Sequence, residues 1–116
     1  METIHTIGRR KKSVARIYID KGKGAILVNN KKFNNYFSTP SLQYKISQPF
    51  ILTNTEKTYD IKIIVKGGGT NGQAEAIRLG ISRALCKIND EHRPVLKTEG
   101  LLKRDPRMVE RKKFGQ

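Results

Sequence analysis

The sequence predicts one domain that mixes strands with helices. Three observations carry this. SVARIYI at 13–19 and TYDIKIIVK at 58–66 alternate apolar and polar residues, the period of a half-buried strand. A longer stretch ending near Ile88 repeats apolar residues at helical spacing. The chain has 116 residues, enough for one modest core.

The elements follow in chain order. In 13–19, Ala15, Ile17 and Ile19 face the core, with Val14, Arg16 and Tyr18 opposite. DKGKG (20–24) reads as a turn and AILVN (25–29) as a second strand, so the two strands form a hairpin. Residues 33–48 are mixed. Pro40 opens a short helix carrying Leu42 and Ile46, and Pro49 ends it. FILT (50–53) reads as a short extended piece. In 58–66, Tyr59, Ile61, Ile63 and Val65 share one face, with Asp60, Lys62 and Lys66 on the other. The next helix carries Ala74, Ile77, Ile81, Ala84, Leu85 and Ile88 on one stripe. Thr70 and Gln73 have capping-box spacing at its start, and Asn89 suits its end. Residues 90–99 form another short helix, with Pro94 in its first turn and Gly100 just past it. From Leu101 the pattern lapses. The chain divides into a globular part, 1–100, and an extended basic arm, 101–116.

Charge says most about partners. There are 24 Lys and Arg against 10 Asp and Glu, a net charge of +14. A body this small repels itself at that charge, and a polyanion offsets it. Nucleic acid is the favoured polyanion. A membrane partner is excluded by length, because no apolar run approaches the roughly 20 residues that span a bilayer. The N-terminus METIHTIGRRKK lacks the apolar core of a secretory signal, so a cytosol-like compartment is expected. Cys86 is the sole cysteine. It permits no internal disulfide and sits among apolar helix positions, as a small buried side chain does. His5 and His92 lie in no metal-ligand pattern and are expected at the surface. No nucleophile elbow or carboxylate cluster points to an enzyme, and no cofactor is expected.

KGGGTNGQAEA (66–76) satisfies G-x-G-x-x-G through Gly67, Gly69 and Gly72. As a dinucleotide fingerprint it fails. Asp90 and Glu91 leave a helix instead of ending a second parallel strand, and no strand pattern follows Ile88. A Walker loop fails because Gly72 is followed by Gln73 and Ala74. The glycines instead make a tight strand-to-helix turn with unusual dihedrals at Gly67–Gly69. Bare backbone at a helix start also suits a nucleic-acid phosphate.

Two basic clusters flank the core. Arg9, Arg10, Lys11 and Lys12, with Arg16, Lys21 and Lys23, form the first. Lys103, Arg104, Arg107, Arg111, Lys112 and Lys113 form the second. Phe33, Tyr36 and Phe37 read as core and not as a stacking platform. Recognition of phosphate and shape is therefore expected, not the reading of single-stranded bases.

These blocks together resemble the bacterial-type ribosomal protein S9 (uS9) family over essentially the whole chain. IGRRKKSVARIYI (7–19) is similar to its N-terminal strand region, GGGTNGQAEAIRLGISRAL (67–85) to its signature, and LLKRDPRMVERKKFGQ to its C-terminal arm. The resemblance implies a structural protein of the small ribosomal subunit, bound to 16S-type rRNA in the head beside neighbouring head proteins. It implies an α/β sandwich like the second domain of ribosomal protein S5, with a mostly antiparallel sheet and a left-handed βαβ crossover. It places Gly67, Gly68, Gly69, Gln73 and Arg83 in the signature, and the basic ends in rRNA. Family members carry a further basic tail past KKFGQ that reaches the P-site tRNA, so tRNA contact is assigned to no residue of this sequence. The alternative, a ribonuclease P protein-like subunit, is also small and basic, but its R-N-x-x-[KR]-R-type run is not seen.

Overall fold

A computed structural model describes residues 2–102. Five strands, β1 (Ile4–Arg10), β2 (Ser13–Lys21), β3 (Ile26–Val28), β4 (Lys31–Lys32) and β5 (Tyr59–Lys66), form one sheet in the order β1-β2-β5-β3-β4. β2 runs antiparallel to both β1 and β5, and β4 antiparallel to β3. β3 and β5 are parallel neighbours. They are joined through α1 (Phe33–Tyr36) and α2 (Pro40–Thr53), so the sheet contains one crossover connection. α3 (Thr70–Ile88) and α4 (Arg93–Thr98) follow β5, with a single 3-10 turn at Asp90–His92 between them.

The alternation in β2 and β5 sets which face is buried. Ala15, Ile17 and Ile19, with Ile61, Ile63 and Val65, pack under Ile77, Ile81, Ala84 and Leu85 of α3 and Leu42, Ile46 and Phe50 of α2. Burying each isoleucine contributes about 1.5–3 kcal/mol. Among the described residues no helix covers the other face of the sheet, and its Leu27 and Ile64 are exposed.

The expected hairpin of 13–19 with 25–29 does not form. β5 lies between them. β5, with Ile61, Ile63 and Val65 buried, takes the interior with a partner on each edge and so separates β2 from β3. The 22–25 turn is instead fastened to β5: Asp60 Oδ1 accepts from the backbone N–H of Lys23, Gly24 and Ala25 at 2.9–3.2 Å.

The helix opened by Pro40 does not stop at Pro49. α2 continues to Thr53, so residues 50–53 are helical and not extended. A proline in a helix interior typically costs about 3 kcal/mol. Here Pro49 shares one buried stripe with Leu42, Ile46 and Phe50, and that burial outweighs the lost hydrogen bond. Asn54, in the left-handed region at φ 57°, ends the helix.

α3 ends as expected at Ile88, but its start differs. The N-cap is Gly69, and no side chain caps it. The Thr70–Gln73 capping box is absent because Gln73 is used elsewhere: its Nε2 donates to Gly67 O and its Oε1 accepts from Tyr36 OH. α4 carries Pro94 in its first turn, and Gly100 follows at φ 79°. Leu101 is buried and Leu102 packs on the core. The rest of the expected arm lies outside the described residues.

β1 was not visible as a strand. Its inward residues are Ile4, Thr6 and Gly8, only one of them apolar. It is buried by close approach. A Cβ on Gly8 would sit 2.0 Å from Ala76 O, and one on Gly80 would sit 2.5 Å from Ile17 Cγ1. Bare backbone at both positions lets β1 and α3 touch, and Thr6 Oγ1 donates to Gly80 O at 2.7 Å.

Candidate nucleic-acid interface

The fold brings two distant basic and glycine-rich segments to one end of the molecule. β1 and β2 are joined by Lys11 and Lys12, with Arg10 paired to Ser13. Lys11 is in the left-handed region at φ 56°. Against this turn lies the loop from β5 to α3. Ser13 Oγ donates to Gly67 O at 3.0 Å. A Cβ on Gly67 would stand 2.3 Å from Lys12 O, and one on Gly68 would stand 2.2 Å from Ser13 Oγ. Both glycines have positive φ, 80° and 65°. Their first task is therefore to let two loops pack face to face.

Gly69 differs. Its φ is −100°, ordinary extended backbone, and a Cβ there would meet nothing within 4 Å. The unusual dihedrals expected across Gly67–Gly69 are confined to the first two.

A hydrogen-bond chain fixes the loop from behind. Asn29 Nδ2 donates to Val65 O and its Oδ1 accepts from Val65 N–H. Tyr36 OH donates to Gln73 Oε1 at 2.9 Å, and Gln73 Nε2 donates to Gly67 O at 3.1 Å. Gln73 thus holds the loop from inside. The N-cap of α3 is a glycine, so among the described residues no cap side chain takes up the backbone N–H groups of its first turn, the arrangement that favours an anion.

Around this end stand Arg9, Lys11 and Lys12, all exposed. Lys66 joins them, because Arg9 and Lys66 both pair with Val14 across the sheet. Arg16 lies one row further along the open face, between Ile7 and Ile64. Arg10 is committed to the protein: its Nε donates to Glu75 Oε1 at 2.7 Å, while Lys45 Nζ holds Glu75 Oε2 at 3.1 Å. Burial of Glu75 opposes its ionisation, but the hydrogen bonds from Arg10 and Lys45 outweigh that and hold its carboxyl below the ordinary value of 4.5.

Arg83 does not join the cluster. It sits about 20 Å along α3 from the helix start at 1.5 Å per residue, and its Nη1 donates to Ile7 O at 2.8 Å. Lys103, Arg104, Arg107, Arg111, Lys112 and Lys113 lie outside the described residues. Phe37 is buried, and Phe33 and Tyr36 pack on the core. Cys86 is buried, and that burial pushes its thiol pKa up. His5 is exposed and His92 half-buried. No helix among the described residues is long and apolar enough to cross a membrane, and no group of three His, Cys, Asp or Glu among them could hold a metal ion.

The sequence resembles known proteins along its whole length. Residues 8–116 match the family described as ribosomal protein S9/S16. The small ribosomal subunit protein uS9 of Christiangramia forsetii is 59% identical over 116 residues, covering all of this chain and 91% of that protein. Its counterparts in Flavobacterium psychrophilum and Porphyromonas gingivalis are 55% and 49% identical over the same span. With a family match over 8–116 and relatives this similar across the full chain, the chain belongs to the ribosomal protein S9 family.

Proposed function

We propose that the chain is a structural constituent of the small ribosomal subunit that binds ribosomal RNA and serves translation. Membership of the S9 family carries this reading. The protein works in the ribosome of a bacterial-type cytoplasm, beside other ribosomal proteins, and is not an enzyme. A ribonuclease P-like role is not favoured by that family match.

The finer reading rests on the charge and the loops. The RNA is 16S-type rRNA in the head, near the P site. Arg9, Lys11, Lys12 and Arg16 meet phosphates, and the uncapped first turn of α3 behind Gly67, Gly68 and Gly69 holds one more. Gln73 acts by fixing that loop, and Arg10 by fixing the hairpin. Arg83 and the arm residues Lys103, Arg104, Arg107, Arg111, Lys112 and Lys113 extend the contact. The globular part is 1–100 and the arm 101–116. The β3-to-β5 crossover is left-handed, as in the second domain of ribosomal protein S5. P-site tRNA is reached only by a tail of the kind family members carry past KKFGQ.

Sucrose-gradient sedimentation after a high-salt wash tests the reading. The tagged chain is expected to travel with the small subunit in stoichiometric amount. A chain that stays at the top, or runs with a smaller RNA particle, would overturn it.

A further inference from the structure

The face of the sheet turned away from the helices continues from the basic end into the middle of the molecule. The strand registers fix which side chains share it. Arg9, Val14 and Lys66 form one row across β1, β2 and β5, and Ile7, Arg16 and Ile64 form the next. A third row runs from His5 through Tyr18, Lys62 and Leu27 to Lys32 on β4. Arg9, Arg16 and Lys62 thus lie on one diagonal. Each step along it crosses one strand and shifts two residues, a separation of about 7–8 Å. Arg9, Arg16, Lys32, Lys62 and Lys66 are all exposed. None of them takes part in the ion pairs among the described residues, which join Arg10 and Lys45 to Glu75 and Arg93 to Asp90. The acids of the face, Asp20 and Asp60, pair with each other at its far edge. Both are engaged: Asp20 Oδ1 accepts from Thr3 Oγ1, and Asp60 Oδ1 from the backbone of the 22–25 turn. Between the cations stand aliphatic side chains, with Ile64 and Leu27 36% and 37% exposed.

We propose that this open face docks the backbone of an RNA duplex, with phosphates on the Arg9–Arg16–Lys62 diagonal and on Lys32, and riboses against Ile64 and Leu27. Charge selects a polyanion, because the cations of the face are unpaired among the described residues and its acids are taken up within the fold. The aromatic pair selects a duplex over a single strand. His5 and Tyr18 stack on each other, with ring centroids 4.5 Å apart and 7° between the planes. Each ring covers a face of the other, so the pair is not an open platform. Sequence-tolerant binding of single strands needs bases to stack on free rings, whereas a duplex is met through phosphates, 2′-hydroxyls and shape. Lys62 and Lys32 belong to neither basic cluster of the sequence, and only strand register brings them into line with Arg9 and Arg16. The inference rests on the reading of the chain as an RNA-binding ribosomal protein.

The test is fluorescence anisotropy of the full chain with a labelled RNA duplex, titrated at several salt concentrations. Lys62→Gln and Lys32→Gln are each expected to lower the salt slope by about 0.9. Lys97 is exposed on α4, which packs on α2 and α3, so Lys97→Gln makes the same change of charge on the helix side. It is expected to leave the slope unchanged. Ile64→Glu, which sets a negative charge beside Arg16, is expected to weaken duplex binding by about ten-fold. A slope that falls equally in Lys97→Gln overturns the face, since net charge alone then governs binding. Full affinity in Ile64→Glu overturns it as well. So does a single strand of equal length that binds more tightly than the duplex and responds equally to Lys62→Gln. An oligoglutamate peptide that binds as well as the duplex, with the same response, gives the face to an acidic protein chain and overturns it too. The gradient separates this from the ribosomal reading. A chain that sediments with the small subunit but keeps its slope in Lys62→Gln and Lys32→Gln loses only the open face. A chain that binds duplex through Lys62 but stays at the top of the gradient loses only the ribosomal assignment.

Discussion

At the scale of single residues, the glycines separate by what their missing Cβ would meet. At Gly8 it would strike Ala76 O, backbone of a helix that cannot step aside. Gly8→Ala is expected to destabilise the fold by about 3 kcal/mol, read as a lower midpoint in urea unfolding. Gly69 has ordinary φ and open space, so Gly69→Ala is expected to stay within about 0.5 kcal/mol of the parent. Comparable losses in the two variants would show that β1 does not lie on α3 as described. Lys11 poses the converse question, because a side chain stands where glycine is favoured. Left-handed backbone costs a side-chain-bearing residue about 1–2 kcal/mol, and the extra freedom of an unfolded glycine offsets about 0.5–1 of that. Lys11→Gly is therefore expected to gain about 0.5 kcal/mol in stability. In RNA titrations the same variant should lose one phosphate contact, lowering the salt slope by about 0.7–0.9. A variant that is more stable and binds RNA with an unchanged slope would remove Lys11 from the interface.

At the scale of elements, Glu75 ties three of them together. It sits on α3 and holds Arg10 at the end of β1 and Lys45 on α2. Its folded pKa lies below the ordinary 4.5, so its contribution is fully present above that value. The contribution is lost as pH falls through the folded pKa. Arg10 is more than a third exposed, so screening limits the effect, and Glu75→Gln is expected to cost about 1 kcal/mol at neutral pH. The gap between variant and parent should close in acid, and a gap that persists there would mean that packing, not charge, is lost. Legibility in the sequence follows the same elements. β5 and α3 were readable because their buried faces are made of apolar side chains at periods of 2 and 3.6. β1 was not, because bare backbone at Gly8 and the hydroxyl of Thr6, not an apolar stripe, bury it, and its Lys11–Lys12 turn has no glycine or asparagine to announce it. The full length of α2 is hidden by Pro49, a residue that signals a helix end and whose burial only the packed helix reveals. The basic and glycine-rich segments were each legible. Their meeting through Ser13 and Gly67, and the stacking of His5 on Tyr18, are tertiary facts with no local signal.

At the scale of the whole molecule, net charge and ion pairs pull in opposite directions when salt is added. Screening weakens the attraction of Glu75 for Arg10 and Lys45 and of Asp90 for Arg93. It also weakens the mutual repulsion of a body carrying +14. Partly exposed pairs are worth about 1 kcal/mol or less each, whereas the excess of cations acts over the entire surface. Repulsion is the larger quantity, so the free chain is expected to grow more stable as salt rises from about 0.02 to 0.3 M, where the screening length falls well below the width of the molecule. RNA affinity must fall over the same range, because each neutralised phosphate releases counterions. The two measurements should therefore cross: urea midpoints rising with salt while binding constants drop. A free chain that loses stability with salt would mean that its ion pairs, and not its excess charge, govern the fold. The polyanion would then be a ligand of a charge-balanced body, not the partner that completes it.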